Sequence, residues 1–171
     1  MGAIKTFYSK EIMKHFKNPK NVGKIKKPNG IGQAGNILCG DIMKLYLKIG
    51  ENKKGEKIIK DIKFETLGCV VAVANTSLLT TLVKGKKIED VLKIKKDELV
   101  KRLGQPLPLI KIHCSVLATD ALREAIYNYY LKNKLPVPQD LKKEHQRIIK
   151  TKEELERRYK GFQAFEKEIL K

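Results

Sequence analysis

Three thiols carry most of the chemical potential of this sequence: Cys39, Cys69 and Cys114. Thiolates are nucleophiles and soft ligands, and they select iron–sulfur clusters or zinc over magnesium and calcium. Each cysteine stands where the residue pattern changes. Cys39, in Asn36-Ile37-Leu38-Cys39-Gly40-Asp41, comes just before a strand-like alternation. Cys69, in Leu67-Gly68-Cys69, falls between a strand-like and a helix-like stretch, and Cys114, in Ile112-His113-Cys114-Ser115, falls at the expected start of a long helix. Core cysteines are usually buried among apolar neighbours. Boundaries and loops are where a rigid scaffold carries its chemistry. A helix N-terminus adds unpaired N–H groups and a partial positive charge, which favour the thiolate, and this help is expected at both Cys69 and Cys114.

Two further ligand candidates accompany them. Asp41 follows Cys39 by two residues, so in an extended segment both point to one face, and Gly40 lets the backbone bend close. His113 adjoins Cys114. Three thiolates, one carboxylate and one imidazole make a metal or sulfur site. The sequence has no close Cys-x-x-Cys pair, which disfavours a zinc ribbon. It has no glycine-rich phosphate loop followed by Lys-Ser/Thr. His113 and Cys114 are adjacent, a poor geometry for a nucleophile–base pair. His15 and His145 have no acidic or cysteine company in the sequence and read as ordinary polar residues.

The elements that must position these groups follow from periodicity. Ile12, Met13 and Phe16 share a helical face, with Ser9 as N-cap. Asn18-Pro19-Lys20-Asn21-Val22-Gly23 is a break, and the glycine-rich 28–36 segment reads as irregular or edge structure. Residues 42–49 alternate as a half-buried strand. After a turn at Gly50–Gly55, residues 57–67 form its antiparallel partner. Val70–Val83 is helical, stopped by Lys84-Gly85. Short helices are expected at 88–94 and 96–103, a break at Gly104–Pro108, and a long helix at 114–131. The expected fold is α+β, a small antiparallel three-stranded sheet with helices packed on one face. Pro136 and Pro138 separate a 1–134 domain from a basic helical extension, 135–171. In that extension a helix at 139–150 precedes a second one opened by a Thr151-x-x-Glu154 capping box. Leu155, Tyr159, Phe162 and Ile169 form its apolar stripe, expected to pack on the body or on a second subunit.

The chain has 171 residues, 42% of them hydrophobic, and a formal charge of +18. Residues 1–131 carry a surplus of 13 positive charges and 132–171 a surplus of 5, so the charge is not confined to a tail. It is nearly all lysine and lacks a stacking-aromatic motif. That favours a solvated surface or an acidic protein partner over nucleic acid. An odd cysteine count argues against a disulfide framework. No run of about eighteen apolar residues suggests a membrane span. The N-terminus has no signal-like apolar block, so a cytoplasmic protein is expected.

Several ordered motifs resemble the IscU/NifU N-terminal-type iron–sulfur scaffold family. They are Tyr8-Ser9 through His15-Phe16, Asn18-Pro19-x-Asn21-Val22-Gly23, Gly35-Asn36 with Cys39-Gly40-Asp41, Phe64-x-Thr66-x-Gly68-Cys69, Val83-Lys84-Gly85-Lys86 and Lys111-x-His113-Cys114-Ser115-x-Leu117-Ala118. They span roughly residues 7–132. The resemblance implies a non-enzymatic scaffold that builds a [2Fe-2S] cluster from iron and persulfide sulfur and passes it on. It implies Cys39, Cys69 and Cys114 as ligands, Cys114 as persulfide acceptor, Asp41 as the residue tied to cluster lability and His113 as a fourth-ligand candidate. Implied partners are a cysteine desulfurase, a ferredoxin-type electron donor, apo iron–sulfur proteins or carriers, and a second copy in a homodimer. An Hsp70-type chaperone belongs to the same set, but its Leu-Pro-Pro-x-Lys segment reads Leu107-Pro108-Leu109-Ile110-Lys111 here, one proline short. Val70 replaces the glycine that commonly follows the second cysteine, which stiffens that loop. The alternative reading is a zinc-binding, persulfide-accepting sulfur-transfer protein using Cys39, Asp41, Cys69 and Cys114.

Overall fold

The structure, a computed structural model, describes residues 8–36, 40–104 and 109–169; within these, the side chains of Asn36, Lys96, 109–115 and 161–169 are outside the description. The element order is α1 (Lys10–Lys17), β1 (Gly30–Asn36), β2 (Asp41–Glu51), β3 (Lys57–Leu67), α2 (Val70–Val83), α3 (Ile88–Leu92), α4 (Lys96–Arg102), α5 (Leu109–Lys132) and α6 (Gln139–Ile169). The three strands form an antiparallel sheet in the order β1-β2-β3.

Alternation decides which sheet face is covered. Met43, Leu45, Leu47 and Ile49 of β2 and Ile59, Ile62 and Phe64 of β3 are buried in one cluster with α2 and α5. The glycine-rich segment is the edge strand β1, and its glycines have a packing purpose. A Cβ on Gly32 would lie 2.1 Å from the Ala121 carbonyl oxygen and one on Gly30 2.6 Å from that of Ala125. The α5 backbone therefore rests on β1 through Ala118, Ala121 and Ala125, all fully buried. Side chains on those glycines would push the helix away.

The Asn18–Gly23 break is also tied to the body. The Gly23 N–H donates to the Phe64 carbonyl at 2.8 Å, and the Phe64 N–H to the Asn21 carbonyl at 3.0 Å, which covers part of the β3 edge. Ser9 caps α1 as expected, its hydroxyl oxygen accepting from the Ile12 N–H at 3.1 Å. The same hydroxyl donates to the Leu103 carbonyl, fastening α1 to the end of α4.

Two expectations about helix boundaries are corrected. The long helix starts at Leu109, not at Cys114. In sequence Pro108 directly precedes it, where a proline's missing N–H costs nothing, and no glycine or proline follows before Lys132. The extension is one helix, without a break at Thr151. Thr151 makes no N-cap; its hydroxyl donates to the Arg147 carbonyl at 2.9 Å, one turn back. That bond satisfies the side chain inside a continuous helix, and no glycine or proline interrupts residues 139–160. At 1.5 Å per residue α6 runs for about 46 Å.

Candidate functional site

One end of the sheet gathers the chemically capable residues. Asn36 and Asp41 are cross-strand partners in β1–β2, and Ile42 pairs with Leu67 in β2–β3. The β1–β2 connection, residues 37–40, and the β3–α2 junction therefore leave the sheet at the same edge. Thr66 fastens this end, its hydroxyl donating to the Ile42 carbonyl at 2.7 Å. Gly40 has φ +71°, a left-handed turn that glycine adopts without strain.

Asp41 opens β2 with the phase of Met43 and Leu45, so its side chain is on the helix-covered face, and it is only 6% exposed. A buried carboxylate costs several kcal/mol unless polar or ionic neighbours compensate. The backbone before Cys69 lies against it: a Cβ on Gly68 would come within 3.4 Å of the Asp41 carboxyl carbon and 3.0 Å of the Ala72 Cβ. Glycine at 68 lets the β3–α2 junction approach the carboxylate this closely. Cys69 is the N-cap residue of α2, half-buried, with extended φ −73° and ψ 171°. Its carbonyl accepts from the Val73 N–H at 3.1 Å, so the thiol stands at the helix N-terminus as the sequence predicts, where the unpaired N–H groups favour a thiolate.

The expected help at Cys114 is corrected by the start of α5. Cys114 is the sixth residue of that helix, in its second turn, so the unpaired N–H groups lie a turn upstream. The helix nonetheless delivers this segment to the same end of the sheet. Val116 and Leu117, which follow Cys114 within one turn, line a cavity together with Gly40, Asp41 and Ile42. Cys39 lies outside the described residues, as do the side chains of His113 and Cys114. The described residues beside them, Gly40 and Asp41 after Cys39, and Val116 and Leu117 after Cys114, line one cavity, and the Gly68–Cys69 backbone lies against Asp41. Leu67 and Ile42, 71% and 45% exposed, give that end an apolar rim.

A match to the NifU-like N-terminal domain model covers residues 7–136. The chain belongs to this family. Within it, the chain is 49% identical over 126 residues to the "Iron-sulfur cluster assembly scaffold protein IscU 1" of Archaeoglobus fulgidus, covering 74% of this chain and 78% of that one. It is 45% identical over 128 residues to the Rickettsia prowazekii scaffold protein IscU, covering 73% and 93%. It is 42% identical over 137 residues to the mitochondrial iron sulfur cluster assembly protein 1 of Debaryomyces hansenii, covering 78% and 74%. Solved NifU-like structures share the fold. The N-terminal NifU-like protein of Brucella abortus aligns with a TM-score of 0.58 at 20% identity, over 72% of this chain and 94% of that one. A SUF-system scaffold from Fervidobacterium islandicum aligns at 0.57 and 21%, over 70% and 96%. The helix α6 lies beyond the matched family domain.

That helix supplies what the sequence reasoning missed. Leu141 and Ile148, 2% and 8% exposed, seat it on α5. Arg147 donates to the Asp120 carboxylate at 2.5 Å and to Glu144 at 3.2 Å. Burial pushes the Asp120 carboxyl above its usual range against the pull of Arg147 and Arg123. His145 Nδ1 bonds Glu124 at 2.8 Å, and its ring stacks on Tyr127 at 3.9 Å and 8°. His145 thus has an acidic partner from another helix. His15 has one in its own helix, its Nε2 3.5 Å from Glu11 one turn away, and its Nδ1 is 2.8 Å from the Ser77 hydroxyl. The middle of α6 then faces Asp41 across the cavity of about 580 Å³. The signal was present in the seven-residue recurrence of Leu141, Ile148 and Leu155, although nothing in it told which surface the stripe would meet.

Proposed function

We propose that this chain is a scaffold for the assembly of a labile [2Fe-2S] cluster, which it builds from iron and persulfide sulfur and then releases to apo iron–sulfur proteins or carriers. The observation that carries the proposal is the approach of the Gly68–Cys69 junction to buried Asp41, at the end of the sheet where Val116 and Leu117 of α5 also lie. Its relatives, named as cluster-assembly scaffolds, support the same reading.

The donor set explains the lability. Permanent [2Fe-2S] centres are normally held by four thiolates. Here three thiolates are joined by a hard carboxylate, Asp41, or by the His113 imidazole, and soft iron–sulfur chemistry favours neither as strongly as a fourth sulfur. Sulfur enters as a persulfide from a cysteine desulfurase. The Cys114 thiolate attacks the terminal sulfur, the donor's S–S bond breaks, and the donor cysteine leaves as a thiolate. A ferredoxin-type donor supplies the electrons that reduce the carried sulfur to sulfide. No step requires turnover of a small-molecule substrate, so the chain acts as a carrier rather than an enzyme. Among the described residues no helix is long and apolar enough to cross a membrane, and we place the work in the cytoplasm.

Incubation with a desulfurase and cysteine, followed by intact-mass analysis, should show an added sulfur that disappears in Cys114→Ser. Persulfide accumulating equally on that variant would contradict the assignment. The donor set also admits a second reading, a zinc-bound sulfur-transfer protein, because Cys39, Asp41, Cys69 and Cys114 could complete a tetrahedral site. Anaerobic purification separates them: iron with acid-labile sulfide supports the scaffold, and zinc that iron and sulfide cannot replace supports the alternative.

A further inference from the structure

We propose that α6 is an exchangeable arm: in a dimer of this chain, the polar face of α5 receives the α6 of a second copy in place of its own. The turn that folds α6 back is the first observation. At the end of α5 the Lys134 N–H donates to the Leu131 carbonyl at 3.0 Å, and the Leu135 N–H to the Tyr130 carbonyl at 2.9 Å. This pair of bonds needs a left-handed residue just past the helix, a place usually held by glycine. Here it is Lys134, with φ +52°. A residue with a Cβ is strained in that conformation, and opening the turn releases the strain. Pro136 and Pro138 follow, and they stop the opened turn from fusing the two helices into one. Extended, the hinge at residues 133–138 spans about 20 Å.

The docking face is the second observation. Asp120 and Glu124 of α5 are each only 7% exposed. Among the described residues their nearest charged partners come from α6: Arg147 is 2.5 Å from Asp120, and His145 is 2.8 Å from Glu124. Arg123 of α5 also reaches Glu144 of α6 at 3.6 Å, and Leu141 and Ile148 are buried in the same contact. All these α6 groups lie beyond the hinge, so the α6 of a second copy makes the same set of bonds. Charge singles out this mode of association. A chain of formal charge +18 repels its own copy over most of its surface, whereas exchange of α6 brings opposite charges together. The exchanged helix also sets Arg147, Ile148 and Leu155 of one copy in the cavity wall that faces Asp41 of the other. That wall is then shared between copies. The inference stands apart from the scaffold reading, because exchange needs no bound cluster.

The test uses the full chain over a series of concentrations, with monomer and dimer read by sedimentation equilibrium after long incubation. The wild type should form a dimer whose share rises with concentration. Lys134→Gly removes the strain of the closed turn and Lys134→Val increases it, while both lose the same charge. The dimer constant should be severalfold larger for Lys134→Val than for Lys134→Gly. A wild type that stays monomeric throughout would overturn the exchange, as would equal dimer constants in the two variants. A second arm reads the docking pair. Asp120→Arg and Arg147→Asp each set like charges against one another at the contact. Mixed, the two variants restore opposite charges at both contacts of an exchanged dimer. Native mass spectrometry should then find the mixed dimer severalfold above the share expected from random pairing. A mixed dimer at or below that share would overturn the proposal. If Asp120→Arg fails to fold, the Lys134 variants decide alone.

Discussion

Asp41 is a carboxylate on the covered face, against the backbone that carries Cys69. In the proposed scaffold it would be a poor fourth ligand beside three thiolates. Replacing it by alanine should leave the thiolates and remove the competing oxygen, so the Asp41→Ala chain should hold its cluster longer. Transfer to an apo-ferredoxin, followed by circular dichroism in the visible, should slow severalfold; transfer at the wild-type rate would remove Asp41 from the account. A different residue governs acid stability. Burial lowers the His15 pKa from 6.5, outweighing Glu11, while Lys14 and Lys20 lower it further. The folded chain therefore binds this proton less readily than the unfolded chain. Stability is retained above about pH 6.5 and falls as pH drops below it. Urea unfolding at pH 7.5 and 5.5 should show this loss, and His15→Gln, which keeps a bonding partner for Ser77, should reduce it. The elements that carry Cys69 and Asp41 were legible because the strand alternation ends at Leu67 and the helical pattern starts at Val70. The cavity residues Asp120 and Arg147 were not, because two charges 27 positions apart carry no sign of being paired until the helices dock.

At the scale of elements, β2, β3 and α2 were read to within two residues, since the apolar positions of both strands recur at every second residue over most of their length and Lys84-Gly85 stops the helix where the pattern ends. The start of α5 and the continuity of α6 were harder. The cysteine drew the expected α5 boundary five residues too far along, and Thr151 imitated a cap that a continuous helix did not use. The 28–36 segment had the opposite problem. Its glycines look like loop residues until α5 is placed against them. That contact makes a sharp prediction. Gly32→Ala puts a methyl 2.1 Å from the Ala121 oxygen and 2.2 Å from the Ala125 nitrogen, both backbone atoms that cannot swing aside. It should destabilise the chain by about 3 kcal/mol, lowering Tm by about 6–12 °C at this size. An unchanged Tm would mean that α5 does not rest on β1. Where α6 meets α5, Ile148→Ala should cost about 2–3 kcal/mol, read as faster hydrogen exchange confined to α6 and its α5 contact.

The whole molecule is a family domain with a long helix added along its flank, under a strongly positive surface. The charge belongs to association rather than to the fold, because exposed lysines attract an acidic partner over a distance that salt shortens. Charge reversal at Lys142 and Lys143, both exposed, should weaken binding of an acidic desulfurase, with the difference shrinking as salt rises. Chaperone dependence is a property of the same scale, and the segment from Leu107 to Lys111, one proline short, predicts weak stimulation by an Hsp70-type partner. The central claim is that three cysteines far apart in sequence share one labile cargo. Anaerobic reconstitution with iron and a desulfurase, with iron and acid-labile sulfide measured per chain, tests it most directly. The account predicts equal iron and sulfide on the wild type and little of either on the Cys39→Ser, Cys69→Ser and Cys114→Ser chains. A full cluster retained on any of those three would contradict it.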